Sequence, residues 1–181
     1  MLVGTKTKIR PMELADLDIL HKWFNDQEVN LWSSGAFPLN TMFSKDNLED
    51  KLFNEPTQRQ RYLIIDHDEA PIGTIGFDEL NIPARSATLF ITLGEQDFWG
   101  QGYGTDALIT FINFLFNQWN LHRLSLDTWD GNERAIKAYQ KIGFKIEGRQ
   151  RDARFILGEY HDSILLGLLQ PEFLHIFSHR A

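Results

Sequence analysis

The stretch DFWGQGYGTDAL sets Gly100, Gly102 and Gly104 at alternate positions and then runs into residues that start a helix. Backbone bare of side chains ahead of a helix N-terminus aims several N–H groups and the positive end of the helix dipole at one point, which is how proteins hold phosphates. The spacing narrows the choice of phosphate. A nucleotide-triphosphate loop needs Gly-Lys-Ser/Thr, and the dinucleotide fingerprint needs G-x-G-x-x-G in an early βαβ unit with an acidic residue about 20 positions on. Here the pattern is G-x-G-x-G, with no lysine after Gly104. On spacing alone, the glycines serve equally well as a plain turn between strand and helix.

The elements that must position this loop follow from composition and periodicity. The chain has 181 residues, 43% hydrophobic and 24% charged, which suits one globular domain spanning 1–181. Twenty-five acidic residues against 18 basic ones give a net charge of −7, so nucleic acid is excluded as an expected partner and a cationic amine is favoured. Cysteine is absent, which removes disulfides, thiolate metal sites and a cysteine nucleophile. No run of 18 apolar residues and no leader-like start occur, so the expectation is a cytoplasmic protein with no membrane partner.

Along the chain, TKIRPM reads as a strand and ELADLDILHKWFND as a helix, with Leu14, Leu17, Leu20 and Phe24 at helical intervals. Residues 27–57 read as mixed, with one helix from Lys45 to Phe53. RYLIID, APIGTIGFDEL and SATLFITLG are three antiparallel strands. After the glycine loop, Leu108, Phe111, Ile112, Leu115 and Trp119 share one helical face. RLSLDTW is a strand, NERAIKAYQKI a helix closed by Gly143, and the remainder a pair of strands and a tail helix packing Phe173, Ile176 and Phe177. The expected fold class is α/β, mixed α+β: a central, mostly antiparallel sheet of about seven strands flanked by helices. His175 and His179 lie four apart in the tail but without a carboxylate cluster, so no metal site is expected.

WGQGYGTDAL, followed some thirty residues later by NERAIKAYQKIGF, resembles the GNAT acyltransferase superfamily. That family marks its pyrophosphate loop with Q/R-x-x-G-x-G/A and its later helix with N-x-x-A-x-x-x-Y-x-K-x-G-F. Asn132, Ala135, Tyr139, Lys141, Gly143 and Phe144 fall on the second pattern, Gly102 and Gly104 on the first, and Trp99 departs from it. KWFNDQEV and GRQRDARFILGEYHD are similar to the branch of ribosomal-protein N-terminal and bacterial spermidine acetyltransferases, so the likeness runs from Ile9 to Leu168.

The resemblance implies a GNAT-like fold and an acetyl-CoA-dependent N-acetyltransferase acting by direct attack in a ternary complex. The acceptor would be a primary amine, either a small cationic amine such as a polyamine or a protein N-terminus. It implies that the strand Phe90, Ile91, Thr92, Leu93 splays from its neighbour and pairs with the pantetheine arm. Gln101, Gly102, Tyr103, Gly104 and Thr105 would then hold the pyrophosphate. Thioester cleavage needs an oxyanion donor and a proton for the thiolate, and Tyr139 is the candidate acid. Asn132, seven residues before it on the same face, is a helix cap or a cofactor contact, with Asp130 and Glu133 a second capping pair. Many family members carry a Glu where Thr88 stands here, so Glu79 on the preceding strand becomes the candidate base, with Asp78 expected on the opposite face. Glu28 and Trp32 are expected to line the amine site. Tyr160 would contact acceptor or partner subunit, which leaves a homo-oligomer open. A domain that binds acetyl-CoA without transferring it is the alternative function.

Overall fold

A computed structural model describes residues 1–35, 43–54, 60–66 and 68–177. Their strands form one sheet in the order β1-β2-β3-β4-β5-β6-β8-β7. They are β1 (Leu2–Val3), β2 (Lys8–Pro11), β3 (Gln60–Ile65), β4 (Pro71–Asn81), β5 (Ser86–Leu93), β6 (Arg123–Trp129), β7 (Lys145–Ile156) and β8 (Glu159–Leu169). The strand beyond the expected seven is β1, which pairs Leu2 with Ile9 and Val3 with Lys8 across a tight turn. All the described pairings are antiparallel except β5 with β6.

Strand alternation lets β3 serve two layers at once. Ile64 joins the core under α4 (Tyr103–Asn117), α5 (Glu133–Ile142) and α6 (Gln170–Phe177). Leu63 and Ile65 point the other way, into a second cluster with Leu20 and Trp23 of α1 (Leu17–Asn25) and Leu48 of α3 (Lys45–Glu49). In α4, Leu108, Phe111, Ile112 and Leu115 are buried as their spacing requires. Trp119 lies past the end of the helix and meets Phe77 edge-on, 5.1 Å between centroids. Phe173 is buried in α6, whereas Ile176 remains partly exposed and His179 lies outside the described residues.

Three local features depart from the sequence expectation. Residues 27–34 form a helix, α2 (Gln27–Ser34), capped by Asp26, whose carboxylate accepts from the Glu28 and Val29 amides, and ended by Gly35 at φ +65°. The helix expected over Lys45–Phe53 stops at Glu49 and widens into a π turn over Asp50–Asn54. The first helix of the chain begins only at Leu17, after a 3-10 turn over Leu14–Asp16. There Asp16, 6% exposed, takes two hydrogen bonds from the Arg10 guanidinium (2.7 and 2.8 Å) and one from the Glu13 amide (2.8 Å). Burial works to raise the Asp16 pKa, but the bonds from Arg10 and Glu13 outweigh it and hold the carboxyl below its ordinary value.

Candidate active site

The parallel ladder between β5 and β6 is short: Ser86 pairs with Arg123, Ala87 with Leu124 and Thr88 with Ser125, and there it ends. β5 runs on to Leu93 paired only with β4. The strands part, and a cavity of about 670 Å³ opens between the end of β5, the glycine loop, α2 and α5. Ile91, Thr92 and Leu93 line it. Phe90 does not; its ring lies 4.7 Å beneath the Arg61 guanidinium instead.

The loop is fastened by Trp99, whose indole N–H donates to the Leu93 carbonyl at 2.9 Å. A Gln or Arg there could also donate, so the departure at Trp99 keeps a donor and adds a flat ring, over which the Arg134 guanidinium lies at 4.8 Å. Gly100 and Gly102 take φ of +72° and +88°, where side chains are strained. Gly104 needs no such freedom: it is already in α4, and a Cβ there would meet Leu93 at an ordinary 3.5 Å. Gly100, Gly102, Gly104 and Thr105 line the cavity. Gln101 and Tyr103 do not line it: Gln101 is exposed, and Tyr103, at the start of α4, packs against the core. The Gln101 side chain donates to the Asp97 carbonyl, and Tyr103 packs on Phe98 at 4.9 Å.

Asn132, 5% exposed, caps α5 and lines the cavity. Its oxygen accepts from the Ala135 amide (3.4 Å), while its nitrogen donates to the Trp32 carbonyl (2.9 Å) and to Thr128 Oγ1 (3.2 Å). It therefore joins α2 to α5. The expected capping by Asp130 does not occur, because that carboxylate is drawn to Arg149 and His161, both at 3.0 Å. Trp32 lines the cavity and stacks on Trp129 at 5.6 Å.

Tyr139 sits two turns along α5, lining the same cavity, with its ring against Phe144. Among the described residues its hydroxyl has no hydrogen-bond partner, unlike a core tyrosine tied to a carbonyl. Burial, and then the charge of Asp127, push its pKa up to about 12. Gly143 ends the helix at φ +112° as the sequence suggests.

The remaining expected residues are not brought here. Glu79 lies at the exposed end of β4, outside the cavity, in a bulge where the register slips between Asp78 and Asn81. At φ +51° its carboxylate swings to accept from Thr88 Oγ1 at 2.7 Å, and that hydroxyl also meets Ser125 at 3.2 Å. Asp78 pairs with Thr88 and so shares its face; the bulge cancels the alternation expected of these neighbours. Glu28 is exposed on the first turn of α2 and does not line the cavity. Tyr160, 69% exposed, packs on Phe155 near the β7–β8 turn, also away from it. Conversely, Arg134, Lys137 and Lys141 edge the cavity. Their i, i+3, i+7 spacing on α5 was the available sign of a shared basic face.

Among the described residues there is no cluster able to hold a metal, and no helix is long and apolar enough to cross a membrane. The family model of the acetyltransferase (GNAT) domain matches residues 6–145. The chain is similar to spermidine N(1)-acetyltransferase of Escherichia coli (strain K12), 29% identical over 168 residues, covering 92% of this chain and 88% of that one. It is also similar to the uncharacterized N-acetyltransferase p20 of Bacillus licheniformis, 26% identical over 174 residues, covering 95% and 97%. Among solved structures, spermidine N-acetyltransferase from Vibrio cholerae in complex with CoA and spermine superposes with a TM-score of 0.84 at 25% identity, covering 94% of this chain and 99% of that one. With the parted strands, the glycine loop and the Asn132–Phe144 helix pattern all in place, the chain belongs to the GNAT acetyltransferase family.

Proposed function

We propose that the chain transfers an acetyl group from acetyl-CoA to a primary amine of a small polycation, a polyamine of the spermidine class. One observation carries the reading: a single cavity joins the free edge of β5, the glycine loop at the N-terminus of α4, and a tyrosine hydroxyl without a protein partner among the described residues.

The cavity fits the donor. Open space stands where a Gly100 Cβ would be, so a diphosphate can approach the backbone there and meet the amides of the loop and of the first turn of α4. Lys137 is paired with Glu133 at the cavity edge (2.7 Å), and Arg134 and Lys141 leave an excess of positive charge there, in a chain whose net charge is −7. The extended backbone of Ile91 to Leu93, unpaired toward β6, can hydrogen-bond the amides of a pantetheine arm. When bound, acetyl-CoA supplies a thioester carbon open to attack by an amine.

The chain's own part is to orient the amine and to move two protons. Tyr139 holds one, ready for the departing sulfur. The other must leave the amine, which at a reference pKa near 10.4 is almost wholly protonated at neutral pH. Asp127 lies close enough for its charge to act on Tyr139, and its carboxylate accepts from Ser163 at 3.0 Å and from Arg154. On that face of the sheet, Asp78, Glu79 and Asp127 span β4 to β6 beside Thr88 and Ser125, a row of carboxylates suited to a polycation. Glu79, outside the cavity, attracts the acceptor; it does not take the proton at the reacting nitrogen. The relatives' spermidine acetyltransferase activity supports the same acceptor class. The test is release of CoA from acetyl-CoA with a panel of polyamines, neutral amines and N-terminal peptides. Polyamines should be fastest, with KM rising with salt as screening shortens the reach of the carboxylates.

A further inference from the structure

The turn joining β1 to β2 is seated on the first turn of α4 by one side chain. The Asp106 carboxylate accepts from the amides of Thr5 (3.0 Å), Lys6 (2.9 Å) and Thr7 (2.9 Å) and from the Thr7 hydroxyl (2.7 Å). The fit is close, since a Cβ on Gly4 would collide with that carboxylate. Seated this way, the turn carries Lys6 to the glycine loop, where its ammonium donates to the Gln101 carbonyl at 2.8 Å and lies 5.3 Å over the Tyr103 ring.

The consequence is for the next amide. Every described peptide bond is trans, and in a trans peptide the carbonyl and the following N–H point in opposite directions. Gly102 lines the cavity and Lys6 does not, so a Gln101 carbonyl turned to Lys6 turns the Gly102 N–H toward the cavity. Gly102, which follows that peptide at φ +88°, has no side chain to fix the orientation of the peptide, so something else must hold it. We infer that Lys6 is a positioning residue for donor binding: by holding the Gln101 carbonyl, it presents the Gly102 amide to the diphosphate of the acyl donor. The inference rests on the proposed function and extends it to a residue more than ninety positions away from the loop.

The test compares Lys6→Met and Lys6→Arg with the parent, using acetyl-CoA and acetyl-pantetheine, which lacks the diphosphate. Lys6→Met should raise the calorimetric Kd and the KM for acetyl-CoA about tenfold, the scale of one charge-assisted hydrogen bond, with kcat changed less than about twofold. Acetyl-pantetheine should be used equally well by both, and Lys6→Arg should recover most of the loss. The ratio of affinities should also persist in 1 M salt, where the Debye length is about 3 Å. Unchanged affinity in Lys6→Met overturns the inference. So does an equal loss with acetyl-pantetheine, and so does a ratio that vanishes in salt, which would make Lys6 a plain charge acting on the phosphates. If the parent itself gives no heat with acetyl-CoA, the proposed function fails, and the inference fails with it.

Discussion

Replacing Tyr139 with Phe removes one oxygen from the cavity and almost no volume. The hydroxyl makes no hydrogen bond to a described residue, so its loss should leave Tm within about a degree, whereas a tyrosine bonded in a core loses about 1 kcal/mol on the same change. The catalytic cost can be worked from acidity. A phenol at about 12 is a weaker acid than a thiol near 8.5, and moving its proton to a free thiolate runs uphill by about 5 kcal/mol. Transfer must therefore accompany carbon–sulfur cleavage, when sulfur is gaining charge, and the acid contributes on the scale of about 10²- to 10⁴-fold. The variant should bind acetyl-CoA as the parent does and lose at least about 10²-fold in kcat, measured by pre-steady-state mixing so that chemistry is observed. The high pKa also fixes the pH profile. The neutral, proton-bearing form persists until pH nears 12, so the parent rate should climb with amine deprotonation through pH 10 without the descending limb an ordinary tyrosine would give. Unchanged kcat in the variant, or a parent rate that falls between pH 9 and 10 with a tyrosine signature, would refute the role.

Gly102→Val should weaken acetyl-CoA binding by about tenfold or more in calorimetry, since a β-branched residue is strained at φ +88°, while Gly104→Ala should fold normally because its Cβ meets only Leu93 at 3.5 Å. Glu79→Gln should raise the KM for a polyamine at low salt with kcat almost unchanged; a fall in kcat and a shifted pH profile would instead make Glu79 the base. Asp16→Ala should cost roughly 2–4 kcal/mol in urea unfolding, since it leaves the Arg10 guanidinium without its carboxylate. Asp16 has a lowered folded pKa, so its contribution is present above the ordinary carboxylate pKa and is lost as pH falls through the folded value. The parent and the variant should therefore converge in stability on the acid side, and only there.

What the sequence made legible was local and periodic. The Asn132–Phe144 pattern carries its own cap, spacing and glycine stop, so α5 stands where it was expected; the apolar stripe of α4 does too as far as Leu115, but the helix ends at Asn117, short of Trp119. α2 escaped because QEVNLWSS has no clear apolar face; its position depends on the Asp26 cap and on Asn132, a hundred residues away. β1 is too short to show alternation. The cavity wall made by the end of β5 and the glycine loop was legible, because glycine φ angles and a strand end impose residue types there. The surroundings of Glu79 were not, because a bulge there reverses which neighbours share a face, and no periodic rule announces a bulge. Lys6 was invisible for a similar reason, its place being set by the long-range contact of the turn with Asp106.

The most direct test mixes the chain with acetyl-CoA and an equimolar panel of spermidine, a neutral primary amine and an unacetylated peptide, and follows products by mass spectrometry beside CoA release. Monoacetylated spermidine should form first and in step with CoA, and Tyr139→Phe should slow both at least about 10²-fold while still binding acetyl-CoA. Binding of acetyl-CoA with no acetylated product from any amine would contradict the enzyme reading in favour of a sensor, and a peptide acetylated ahead of spermidine would contradict the polyamine acceptor.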